Sequence, residues 1–220
     1  NDIGKGNYAT QLELLSEADV LGKSLITMRD SLKNAAMEEE NRKLEDQKRS
    51  WANEGHAHFG EILRQNNNDL QKLCDNVIVS LVKYVGANQG GIFLLNDDDK
   101  MHPFFELISA YAWDRKKYLT KQIELGEGLV GACAMEKETI FLTEVPDDYV
   151  NITSGLGEAN PRCVILVPLK HEDEVVGVVE MASFKVLEKH EVEFIEKVAE
   201  SIASTILSVK INARTKMLLE

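Results

Sequence analysis

The stretch Ile123 to Val145, IELGEGLVGACAMEKETIFLTEV, most constrains how this chain can fold. Gly126 and Gly128 bracket a carboxylate, so the backbone there can turn tightly or take a positive φ. Leu129, Val130, Ala132, Cys133 and Met135 follow as a short amphipathic helix, and Gly131 within it allows another segment to approach closely. Lys137 to Thr139 closes that helix ahead of a β-rich run, Thr139 to Val145. The succession reads as one wall of a pocket sized for a small molecule.

Apolar periodicity supplies the surrounding elements. Asn68, with Gln71 three residues on, predicts the cap of a helix whose buried face is Leu70, Leu73, Val77, Ile78, Leu81, Val82 and Val85, ended by Gly86. Gly90 to Leu95 reads as a short strand closed by the turn Asn96 to Lys100, with Phe104 to Trp113 as its antiparallel partner. Val164 to Lys170 and Val175 to Met181 predict a hairpin around His171 to Glu174. Between wall and hairpin, Pro146 to Pro161 is polar and irregular, the candidate lid. Leu187 to Leu219 reads as one long helix with a stripe through Val192, Ile195, Val198, Ile202, Ile206 and Val209.

The N-terminal part follows a different pattern. Leu21, Leu25, Met28, Leu32 and Ala35 recur at alternating steps of four and three, a heptad seam too narrow for one helix to bury by itself. Glu38 to Arg49 carries oppositely charged neighbours three and four apart, the pattern of a solvated helical connector, and the seam loses phase there. Trp51 to Arg64 regains apolar residues, with Gly55 and Gly60 permitting close packing or a bend.

Composition removes several classes of function. With 25 Lys and Arg against 37 Asp and Glu, the net charge of −12 opposes binding to a phosphate backbone, so no nucleic-acid partner is expected. No run approaches the roughly 20 apolar residues of a membrane span. Cys74, Cys133 and Cys163 each lie in apolar runs, like buried thiols of a reducing compartment. His56 and His58, two apart, point to different helix faces and do not pair as metal ligands. Asp97 to Asp99 lacks the spaced oxygen ligands of a calcium loop, and GEGLVG lacks the strand, helix and downstream acid of a dinucleotide site. No nucleophile sits beside a base, and nothing identifies a cofactor. The first residue is not Met and the last lie in a helical pattern, so the chain reads as part of a longer one.

GEGLVG, the helix and strand after it, RCVILVPL at 162–169 and VVGVVEMAS at 175–183 together resemble a GAF domain, a small-ligand-sensing and dimerising module of signalling proteins. Asp19-Val20-Leu21-Gly22 and its seam resemble the second half of a HAMP module, with Val20 where that family commonly has a second acid. The resemblance implies an α+β fold, an antiparallel sheet flanked by helices and preceded by a long coiled-coil-like signalling helix. It divides the chain into a partial HAMP-like segment at 1–36, a helical linker at 37–68, a GAF domain at 69–210 and the start of a connector helix at 211–220.

The resemblance further implies a cytoplasmic sensory relay in a bacterial two-component receptor, with a downstream output such as a histidine kinase. It implies a homodimer through the N- and C-terminal helices and no catalysis. A ligand would meet Leu129, Cys133, Phe141 and Tyr149 as walls, and Phe93, Phe105, Tyr111, Ile165, Val167, Val179 and Met181 as floor. The alternatives are a redox enzyme like the free methionine sulfoxide reductases and a purely structural dimerisation module. Against the former, Val130 stands where those enzymes carry a cysteine and Cys133 lies three positions on. Of the motif of cyclic-nucleotide-binding relatives, only Phe184 survives, and no Cys-His pair is present to attach a bilin.

Overall fold

The computed structural model describes residues 8, 19–99, 101–112, 115–116, 122–146, 152–154 and 157–219. The chain divides into two compact units, Asn1–Trp51 and Ala52–Glu220. Helix α1 runs Val20–Gln65. Asp19 caps it by accepting from the Gly22 N–H at 2.8 Å. The seam residues Leu21, Leu25, Met28 and Leu32 are exposed. Lys43 and Glu39, one turn apart, pair at 2.8 Å on the charged stretch, as its charge pattern predicts.

The second unit begins where α1 regains apolar residues. Gly55, Phe59 and Leu63 form a buried stripe one turn apart. Gly55 serves close packing, since a Cβ there would lie 2.5 Å from the Phe194 ring. Around it, Phe59 meets Tyr84 and Phe194 edge-on, each at 6.0 Å between centroids, and His56 tilts over Phe194 at 5.0 Å. Helix α2, Leu70–Val85, begins one residue later than the Asn68 cap predicts. Asp69 is the cap, because its extended backbone lets its carboxylate accept from the Lys72 N–H at 3.0 Å. Gly86 ends α2 in the left-handed conformation, as expected.

The strands and helices that follow are β1 Gln89–Asn96, β2 Phe104–Ala112, β3 Arg115–Lys116, β4 Gln122–Glu124, α3 Gly128–Glu136, β5 Ile140–Leu142, β6 Ile152–Ser154, β7 Gly157–Ala159, β8 Cys163–His171, β9 Glu174–Ser183 and α4 Lys189–Leu219. The main sheet is antiparallel, in the order β3-β2-β1-β9-β8-β5, with β4 also paired to β2. Both expected hairpins, β1–β2 and β8–β9, are present. The strand after α3 is shorter than Thr139 to Val145 predicts. In the candidate lid, β6 and β7 pair with each other, while 147–151 and 155–156 lie outside the described residues.

Two layers cover the sheet. Helix α2 packs on β1 and β2, and α4 on β8 and β9; α3 lies against β8, β9 and β4 on the other face. The stripe Val198, Ile202, Ile206 and Val209 is buried, at most 5 % exposed. Expected to face a second copy, it covers its own sheet instead, because a β8–β9 hairpin that is apolar at most positions of both faces demands a cover on each. Among the described residues no helix is long and apolar enough to cross a membrane.

Candidate functional site

The wall forms around two close backbone contacts. Gly126 and Gly128 adopt φ of +84° and +58°. A Cβ on Gly131 would stand 2.7 Å from Gly126 N and 2.9 Å from Glu124 O, so only glycine lets α3 begin directly against the turn that feeds it. Glu127 completes the turn by accepting from the Glu124 N–H at 2.9 Å. Helix α3 ends at Lys137, φ +58°, whose N–H returns to Cys133 O.

This geometry sets Val130, Cys133 and Ala134 against Phe93, Phe105, Ile123, Val164, Leu166, Val178 and Ala182, with Leu129, Leu95 and Phe184 partly buried around them. Ile152 of β6 joins the same cluster. Of the predicted pocket residues, Phe93, Phe105, Leu129 and Cys133 therefore share one face. Ile165, Val167, Val179 and Met181 alternate with members of that cluster along β8 and β9, so they point to the opposite face, beneath α2 and α4. A Cβ added at Gly90 would meet Ile78 and Val82 of α2 together with Met181, which locates Met181 in the helical layer. Phe141 pairs with Ile165 and shares its side. Tyr149 lies outside the described residues.

Tyr111 illustrates how one inserted residue redirects a side chain. Phe105 and Tyr111 are six apart and would share a face of a regular strand. The pairing steps from Ile92 with Ser109 to Phe93 with Leu107, so Ile108 is an extra residue in β2 and alternation reverses there. Tyr111 accordingly lies under the Lys83 ammonium, 5.7 Å from its ring centre, on the α2 side. Ser109, on that same side, donates to Asp75 at 2.6 Å.

Glu180 escaped the sequence reading. It pairs across β9 with Gly91 and Leu166 and thereby joins the face of Val178 and Ala182, a half-buried carboxylate beside an apolar surface. The signal was a lone acid in an otherwise apolar strand, VVGVVEMAS.

Burial disfavours the thiolate at all three cysteines. Burial pushes the Cys133 thiol up to about 12, and its Sγ donates to Glu138 O at 3.3 Å. Burial raises Cys163 likewise, and its Sγ donates to Lys185 O at 3.1 Å. Cys74, on the buried face of α2, is pushed up to about 12 by the same cause. Among the described residues, no three His, Cys, Asp or Glu side chains converge as metal ligands.

The sequence matches the GAF domain family over residues 67–207. The chain belongs to the GAF domain family. Similar solved structures include the GAF domain of a phosphoenolpyruvate-protein phosphotransferase from Coxiella burnetii, at 20% identity and a TM-score of 0.54 over 71% of this chain and 96% of that one. The free methionine-R-sulfoxide reductase of Neisseria meningitidis, in complex with its substrate, is similar at 17% identity and 0.53 over 71% and 92%. The GAF-B domain of DevS from Mycobacterium smegmatis follows at 13% and 0.52 over 67% and 99%. At these identities the shared feature is the GAF fold. No curated protein matches the chain.

Proposed function

We propose that this GAF domain is a sensory relay without catalysis of its own, taking a small ligand between α3 and the Phe93–Phe105 face of the sheet. The observation that carries this reading is the face itself. An aromatic and aliphatic sheet face that carries the Glu180 carboxylate is walled by a glycine-hinged helix; this is the mixture of apolar lining and few polar groups by which small-molecule sites gain affinity and orientation. The reading extends to a dimer through the exposed α1 seam, a position on the cytoplasmic side of a receptor, and a downstream output such as a histidine kinase.

Native mass spectrometry of the purified chain tests the sensing role. A retained small molecule is expected, with retention weakened by Leu129→Ala and Glu180→Gln but not by Tyr111→Phe on the opposite face. Retention indifferent to both inner-face changes would overturn the assignment of the face.

The reductase reading is opposed by the thiols, since thiolate is the reactive species and burial disfavours it at both Cys133 and Cys163. In the resemblance to those enzymes, Val130 falls where they carry a cysteine. The chain is expected not to turn over free methionine sulfoxide; turnover lost in Cys133→Ser would restore the enzymatic reading.

A further inference from the structure

The exit of α4 from the domain is held by side chains that the sensory reading does not use. Val209 is the last buried residue among those of the helix whose side chains are described, and residues 211–216 are exposed. At that point the Lys210 ammonium donates to the carbonyl of Leu95 at 2.7 Å. One turn on, Arg214 donates to Asp97 at 2.8 Å and stands 3.6 Å from Asp98. All three partners belong to the end of β1 and the turn after it. Leu95 belongs to both systems, for its side chain packs on the candidate ligand face and it pairs with Phe105, while its carbonyl holds α4.

We propose that Lys210 and Arg214 clasp the β1–β2 turn to α4, and that occupancy of the Phe93–Phe105 face regulates the C-terminal end of α4 by loosening or tightening this clasp. The proposal rests on the sensory reading above. Three physical features favour it. The Arg214 pair is solvent-exposed on both sides, so it is a weak tie that a modest differential affinity can tip. Lys210 is tighter but strained between two demands: burial disfavours its charge while Asp97 favours it. A cleft of about 310 Å³ adjoins the clasp between Leu70, Ile108 and Ala213, giving the turn and the lysine stem room to shift without repacking the core. A strand end that moves to accommodate a ligand must carry the Leu95 carbonyl with it, and the helix anchored to that carbonyl must follow or let go.

Amide hydrogen exchange on the whole chain tests this. Lys210→Met is expected to speed exchange at residues 211–216 by about tenfold, within the range usual for coupling between sites, and to leave residues 195–206 unchanged. Arg214→Gln, on the surface and safe for folding, should give a smaller effect in the same direction. Leu95→Ala loosens β1 from the ligand face; it should speed exchange at 211–216 in the wild-type background and add nothing further in Lys210→Met. Equal exchange at 211–216 in wild type, Lys210→Met and Arg214→Gln would overturn the clasp, as would an undiminished Leu95→Ala effect in Lys210→Met. A retained ligand with exchange blind to the clasp sinks the clasp and spares the sensing role. Clasp-dependent exchange with no ligand ever retained spares the tie itself and sinks both the sensing role and its control of α4.

Discussion

Single residues in this chain are decided by backbone proximity more than by side-chain chemistry. Gly131 faces backbone atoms of Glu124 and Gly126, which cannot swing aside as a side chain could. Gly131→Ala is therefore expected to destabilise by about 1–3 kcal/mol, as overpacking does, lowering the urea midpoint at unchanged slope. Cys133 and Cys74 should be silent to a thiol reagent in the native protein at pH 8 and react fully once it is unfolded, since neither is ionised nor exposed. A thiol titrating rapidly at pH 7 would contradict that environment. Ile108 was the residue beyond the reach of periodicity, because an inserted residue in a strand leaves composition unchanged while reversing everything after it.

At the scale of elements, helix ends were legible and helix surroundings were not. Asp69→Ala should cost about 1 kcal/mol by removing the carboxylate that accepts from Lys72, whereas Asn68→Ala should lie within error of wild type in the same thermal melt. The last turns of α1 add a pH dependence. His56 packs on Phe194, and burial first, then the nearby Lys197, hold its pKa below the ordinary 6.5. In the unfolded chain the imidazole takes its proton at the ordinary value, so the unfolded state binds more protons just below that pH. Stability is thus full above about pH 6.5 and falls as pH drops through the folded pKa. Denaturation at pH 7.5 and 5.5 should show this loss in wild type and a smaller one in His56→Gln.

For the whole molecule, burial redistributes the surfaces on which a dimer was expected. Ile202 and Ile206 lie within the chain's own core, so Ile202→Glu should unfold the domain rather than separate subunits. Leu25, Met28 and Leu32 remain exposed on a heptad-spaced seam, and a second copy is the proposed cover. Sedimentation at micromolar concentration should give a dimer that Leu25→Glu with Met28→Glu converts to a folded monomer. A wild-type monomer at that concentration would sink the proposal.

Order and identity of the larger elements were determined by the sequence alone, because turns, caps and apolar runs are local signals: the glycine-hinged α3, the two hairpins, and the long helices at either end, but not the short strands β3, β4, β6 and β7. Which face of the sheet each strand residue occupies was decided only by tertiary structure. In β8 and β9 nearly every position is apolar, since helices cover the sheet on one side and α3 on the other, so no polar outer face anchors the alternation. Ile165, Val167, Val179 and Met181 therefore looked as suited to a pocket floor as Val164, Leu166, Val178 and Ala182, one residue away. Packing of α4 against one set and Cys133 against the other made the choice, and a period of two turns a one-residue uncertainty into the opposite side of the molecule.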